Sequence, residues 1–432
     1  MKILLISRDF EGGGAAHACR RLFEALCSSG ADVRLLLLND PETEHERISS
    51  IQQNLWDRLL ARAYFAGERL EILAHSRGRK RYLWRASTAS LGFDVSNHPW
   101  VRWADVLHLH WINQGYLSLT GLRRLALLGK PIVWTLHDLW PATGLCHLPL
   151  SFGANTLTQC PSYTTGCGAC PLLSSSRPSD LSAEICQEKA FLAEAPFHYI
   201  AVSHREAELF SQSSLMQGQR AIVIPPPIDI DVYRRCSDLP MPSWHDPSRQ
   251  YLLIAAARLD DSVKGFELLR EITLHLQSLN PEMSERVTLL LAGRVKTACD
   301  LNAFGIDTRM LGAITKIEEM IQLYQLANLT LSTSLFETFG QTLTEALASG
   351  CPVVSFKSFG PEDIIQDGKN GYLVEAYDTR LFAEKILKAL EQDTQHAMSR
   401  EACRGSVAHL STRCIAEQHL EFYKRIAGAM EL

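Results

Sequence analysis

Short apolar runs without polar alternation recur along this chain. Nearly every one is followed by a segment whose apolar residues return at helical spacing. A strand that is apolar on both faces must be covered on both, which is the condition of a parallel sheet sandwiched by helices. "KILLIS" opens the series, followed by the glycine loop "RDFEGGGAAH". The helix "AAHACRRLFEALCSSG" comes next, with Ala18, Leu22 and Leu26 on one face and Gly30 at its end, and "ADVRLLLL" is the second strand. Further strands are expected at 104–111, 131–138, 197–203 and 220–229. After a proline-rich stretch between Val223 and Pro242, a second series starts with "YLLIAAARL" and runs through "VTLLLAG" and "LTLSTS" to "PVVSF". The expected class is α/β, with two doubly wound Rossmann-like domains facing across a cleft. The first spans 1–222, with a cysteine-containing insertion near 141–175, and the second spans 223–410. Residues 50–92 fit this scheme less well.

A chain of 432 residues is long enough for two or three domains. Hydrophobic content of 46% and charged content of 21% are ordinary for a soluble globular protein, and a net charge of −5 speaks against a nucleic-acid partner. No signal peptide is visible, because "FEGGG" cuts the first apolar run short, and no apolar run approaches the ~20 residues of a membrane helix. The expected location is the cytoplasm. "RGRKRYLWR" places Arg77, Arg79, Lys80, Arg81 and Arg85 together without an acid. That is either a solvated surface or a patch drawn to anionic lipid at the inner face of the cell membrane.

The richest stretch is "STSLFETFGQTLTEALASGCPVVSF". Glu337 lies in a loop beyond a strand, and Glu345 lies about one turn into the following helix. Ligands of open α/β sheets bind outside the carboxyl ends of strands. There the free amides of Gly340, Gln341 and Thr342 would attract a phosphate, with about 0.3–2 kcal/mol from the helix dipole. Glu345 then suits a ribose diol, and Glu337 suits sugar hydroxyls or developing positive charge. A glycosidase pair would need carboxylates about 5–9.5 Å apart. The loop break between the two glutamates leaves that distance open.

Other strand ends carry further candidates. Arg258 and Lys264 in "ARLDDSVKG" suit a diphosphate, or else Arg258 pairs with Asp260 and Asp261. "EGGGAAH" is not a complete G-x-G-x-x-G, since His17 stands where the third glycine belongs, but Gly13 and Gly14 could offer amides to a phosphate or sugar. His137 ends an apolar strand beside Asp138. His108 and His110 share one side of the strand in "HLHW", with His110 nearer its end. Cys146, Cys160, Cys167 and Cys170 read either as a structural zinc set or as thiols within an insertion. No catalytic metal is expected.

Together these residues resemble the retaining glycosyltransferases of the GT-B class, family 4. The signature is carried by "ETFGQTLTEALASGCPVV", "ARLDDSVKG", the N-terminal glycine loop and the His-Asp pair. "WTLHDLWPATGLCH" with "TGCGACP" is similar, more narrowly, to colanic acid and exopolysaccharide glycosyltransferases. The resemblance implies that Arg258 and Lys264 hold the diphosphate of a UDP- or GDP-sugar, and that Glu345 binds the ribose. It also implies that Glu337, Phe339, Gly340, Gln341 and Thr342 line the donor and that His137 meets the transferred sugar; His110, from its place near the strand end, is a candidate for the acceptor side. The resemblance further implies a glycan or lipid-linked oligosaccharide acceptor, no required cofactor, and a last helix, 411–432, crossing back to the first domain. "ETFG" stands where many relatives have "EPFG" or "EGFG". The alternatives are a GT-B epimerase or phosphorylase, a nucleotide-sugar binder without activity, and a nicotinamide-dependent dehydrogenase.

Overall fold

The structure, a computed structural model, describes residues 1–39, 45–80, 83–153, 155–194, 196–235, 237–296, 299–391 and 398–428. Arg81 of the basic stretch and the last four residues of the expected final helix lie outside these. The chain divides into two units. The first comprises Met1–Ser151, Thr158–Pro227 and Thr412–Leu432, and the second comprises Phe152–Leu157 and Ile228–Ser411.

In the first unit the strands are β1 (Lys2–Ser7), β2 (Asp32–Leu37), β3 (Ile48–Ser50), β4 (Val106–Leu109), β5 (Ile132–Thr135), β8 (Phe197–Ala201) and β9 (Ala221–Val223). They form one sheet in the order β3-β2-β1-β4-β5-β8-β9, all neighbours parallel. The short strands β6 (Leu150–Phe152) and β7 (Leu157–Gln159) make a separate pair. The central strands are buried along their length, which is why they read as unbroken apolar runs. Because β9 pairs with β8, it belongs to the first unit. This part of the first unit runs to Pro227, five residues beyond the expected boundary at 222.

The second unit holds β10 (Gln250–Arg258), β11 (Val287–Arg294), β12 (Asp307–Gly312), β13 (Leu329–Ser332), β14 (Val353–Phe356) and β15 (Gly371–Val374). Their order is β12-β11-β10-β13-β14-β15, again parallel throughout. In each sheet the strand order reverses beside the first strand, at β1/β4 and at β10/β13. Loops leaving adjacent strands there diverge to opposite faces and leave a crevice. The reversal brings the glycine loop after β1 beside the end of β4. It likewise brings the loop after β10 beside the loop after β13.

The helix Thr412–Gly428 closes the first core. Ile415, Ala416, Phe422, Tyr423 and Ile426 join Leu22, Phe23 and Leu26 of helix α1 (Gly14–Ser28) in one buried cluster. Truncating Ile415, which is fully buried, should open a cavity there. Ile415→Ala is expected to lower stability by about 2–5 kcal/mol, read from the urea midpoint. An unchanged midpoint would mean that this helix is not part of the core.

Candidate functional site

Lys264 and Glu337 meet in the second unit because two loops are stitched together. Lys264 precedes Gly265, which caps the helix Phe266–Leu279 at φ 63°. A side chain at Gly265 would collide with the Thr333 carbonyl, so only glycine fits both the turn and the approach. The Thr333 hydroxyl donates to the Lys264 carbonyl at 2.8 Å, and the Leu335 amide donates to Val263 O at 2.7 Å. Glu337 is held in turn by its amide on Ser358 O and by its carbonyl, which accepts from Gly360 N–H. The result is an ion pair of 2.6 Å between Lys264 Nζ and Glu337 Oε1, with both side chains half-buried.

The pair borders a hollow whose lining includes Ala256, Ser332, Ser334 and Thr342. Gly340, at φ 109°, caps the helix Gln341–Ser349, and no side chain caps that helix and no acid stands in its first turn. One lysine, one carboxylate and a helix N-terminus thus surround one space, a combination able to hold an anion and a polyol together.

Three other candidates are placed differently. Glu345 accepts from the Tyr324 hydroxyl at 3.0 Å and is not among the residues lining the hollow. Arg258 pairs with Asp260 at 3.3 Å and Asp261 at 3.0 Å and is also absent from that lining. The adjacent acids are the nearest partners its long side chain can reach. Phe339 is buried.

A second array lies in the first unit. His110 and His137, at the ends of β4 and β5, line a small hollow with Thr135, Val202, Pro225 and His419. His110 Nδ1 and His137 Nε2 share a hydrogen bond of 2.9 Å, while the buried His110 Nε2 has no partner among the described residues. An orphaned acceptor is less costly than an orphaned N–H. The favoured arrangement therefore has His110 donating from Nδ1, with His137 carrying its proton on Nδ1. Behind them the His108 ring lies 4.4 Å from His110. It hydrogen-bonds the Tyr423 hydroxyl at 2.6 Å and the Thr135 hydroxyl at 2.7 Å. His419 and Tyr423, one turn apart on the last helix, complete the array. That spacing was a readable signal, but it gained meaning only once the helix was placed on this sheet.

Gly13 caps α1 in an extended conformation, and a side chain there would meet nothing within 4 Å. Gly14 opens the helix. Asp138 is committed to its own loop, accepting from His147 at 2.7 Å, Trp111 at 3.0 Å and the Trp140 amide at 2.9 Å. Burial opposes its charge, but His147 and these donors hold its carboxyl below the usual range.

The structure does not gather the four cysteines into the zinc set that was one of their two readings. Among the described residues no group of three or more His, Cys, Asp or Glu side chains could hold a metal ion. Cys146, Cys160, Cys167 and Cys170 are free thiols, and burial pushes Cys146 up to about 12. Cys167 is engaged elsewhere, by the Gly144 amide at 3.1 Å and by Cys186, a partner that sequence spacing did not suggest. The same loop is held by Lys189, fully buried, which donates to the carbonyls of Trp140, Thr143 and Gly144.

Residues 12–232 match the family model Glycosyltransferase Family 4, just over half of the chain, and 241–404 match Glycosyl transferases group 1. The chain belongs to this glycosyltransferase family, and its two doubly wound units have the GT-B fold. It is 24% identical over 333 residues to the putative colanic acid biosynthesis glycosyl transferase WcaC of Escherichia coli K12, covering 74% of this chain and 76% of that one. Over 74 residues it is 39% identical to the poly(glycerol-phosphate) alpha-glucosyltransferase of Bacillus subtilis strain 168. That match takes in 17% of this chain and only 11% of the relative. Anabaena Alr3699/HepE, solved in complex with UDP, superimposes with a TM-score of 0.61 at 17% identity, over 98% of this chain and 100% of that one.

Burial lowers the pKa of all four histidines, aided at His108 and His110 by their neighbours in the array. His137 falls to about 4 and His419 to about 3. They are neutral in the fold at pH 7 and take up protons on unfolding once the pH drops below 6.5. The first unit should therefore be most stable above pH 6.5 and lose stability down toward the folded values. Each histidine contributes up to about 1.4 kcal/mol per pH unit. His419→Gln should make the fall of the unfolding midpoint between pH 6.5 and 4 shallower. An unaltered slope would remove His419 from the account.

Proposed function

We propose that this protein transfers a hexose from a UDP- or GDP-sugar to a glycan or lipid-linked oligosaccharide, with retention, in the assembly of a cell-surface polysaccharide. The observation that carries the reading is the Lys264–Glu337 pair beside the uncapped start of the helix Gln341–Ser349. Lys264 and the amides of Gly340, Gln341 and Thr342 take the donor diphosphate. Arg258 joins them by exchanging its aspartate partners for phosphate, and Glu345 takes the ribose. Glu337 turns from the lysine to sugar hydroxyls, lined by Phe339, and the Gly13–Gly14 loop offers amides to phosphate or sugar. His137 contacts the transferred sugar and His110 sets its tautomer. UDP is favoured as the nucleotude by its presence with Alr3699/HepE, and the polysaccharide pathway by the likeness to WcaC.

In the transfer step the bond from the anomeric carbon to the diphosphate oxygen breaks as the acceptor oxygen bonds to that carbon on the same face. The acceptor proton passes to the departing phosphate oxygen. Charge grows on the diphosphate, and Lys264 stabilises it as an oxyanion hole would. The step uses no cofactor.

Lys264→Ala should lower turnover about 10²–10³-fold in a coupled assay of nucleotide release, and near-normal turnover would take Lys264 out of the mechanism. In a thermal-shift series of UDP-, GDP-, ADP- and dTDP-sugars, the true donor at a hundred times its Kd should add about 2.7 kcal/mol. A response to none of them would end the nucleotide-sugar reading.

A further inference from the structure

Helix α2 (Leu55–His75) buries a charged pair and turns an apolar stripe to solvent. Its buried residues are Ala61, Glu68, Arg69 and Ile72. Glu68 pairs with Arg69 at 3.0 Å and accepts the backbone amides of Thr88 and Ala89, at 2.8 and 3.1 Å. Glu71 accepts from the hydroxyls of Thr88 and Ser90. The opposite face carries Trp56, Leu59, Leu60, Ala63 and Leu70, the i, i+3, i+4, i+7 pattern of an apolar stripe. That stripe is in solvent: Trp56 is 79% exposed and Leu70 64%. Such a contiguous apolar patch marks a surface that something covers.

The charges nearby say what. The acids of the helix are consumed: Asp57 by the capping box with Asn54, Glu68 and Glu71 by the contacts above. The exposed charged side chains along the helix and just beyond it are Arg58, Arg62, Arg77, Arg79 and Lys80, all basic. An apolar stripe carrying tryptophan and leucine, bordered by cations, fits an anionic phospholipid surface. We propose that α2 and the segment to Lys80 form the face by which this protein lies on an anionic membrane. Trp56, Leu59, Leu60 and Leu70 enter the headgroup–acyl boundary, and the cations contact lipid phosphates. Among the described residues no helix is long and apolar enough to cross a membrane, and the proposal needs none. It stands apart from the transferase reading, since vesicle binding is measured without turnover.

The test is co-sedimentation of the full chain with phosphatidylcholine vesicles, with and without phosphatidylglycerol, at low and high salt. The wild type should pellet with the anionic vesicles and be released by salt. Trp56→Gln and Leu70→Gln, both at exposed positions, should each weaken binding about tenfold or more while keeping the wild-type unfolding midpoint and donor-induced thermal shift. Combined Arg77→Gln, Arg79→Gln and Lys80→Gln should weaken it about fivefold per charge and flatten the salt dependence. Wild-type protein left in the supernatant with phosphatidylglycerol vesicles at low salt would overturn the proposal. So would a concentration-dependent dimer that Trp56→Gln dissociates, which would assign the stripe to a second copy of the chain.

Discussion

A half-buried lysine needs a counter-charge, and Glu337 supplies it at 2.6 Å. That need governs what the second unit can hold. At an effective dielectric near 20, two unit charges about 4 Å apart attract by about 4 kcal/mol. A neutral ligand could therefore bind the pair but would not part it. A diphosphate can part it, because it brings more negative charge than one carboxylate and also gains the amides at the start of Gln341–Ser349. The displaced carboxylate then needs new donors, which sugar hydroxyls provide. One ligand bearing both groups satisfies lysine, amides and carboxylate together.

The first unit solves a different problem. Its histidine array is held neutral by burial, and its polar atoms are hydrogen-bond donors and acceptors without net charge. A neutral array discriminates by hydroxyl geometry and not by charge, which is the demand a sugar makes and a phosphate does not. Tyr423 ties this array to the last helix through its hydroxyl on His108. The C-terminal segment thus supports the orientation of groups at the ends of β4 and β5, far away in sequence.

Both sheets were legible in the sequence because parallel strands are buried on both faces and lose their alternation. Lys264, Glu337 and the Gly340 turn were legible because glycine sets off each loop beyond a strand end. Pairing was legible only in part. The short-range pairing of Arg258 with Asp260 and Asp261 was one of the two readings of "ARLDDSVKG" and is the one seen, whereas the fold-back of His147 onto Asp138 had no signal in the sequence. For the cysteines the limit was separation along the chain. Spacing along the chain could not reveal that Cys167 is met by Cys186, from the helix Leu181–Glu188.

Helix α2 resisted reading for a physical reason. Periodicity identifies an amphipathic helix but assumes that the apolar stripe faces the core. Here the Glu68–Arg69 pair and the amides of Thr88 and Ala89 pin the polar side inward. A buried ion pair returns little net stability over an apolar replacement, and leaving Trp56 and Leu70 in water forgoes about 1.5–3 kcal/mol for each side chain. On the proposal of a membrane face, what offsets that loss is the surface the outward stripe touches, and the acid-free row of cations beside it suits an anionic one.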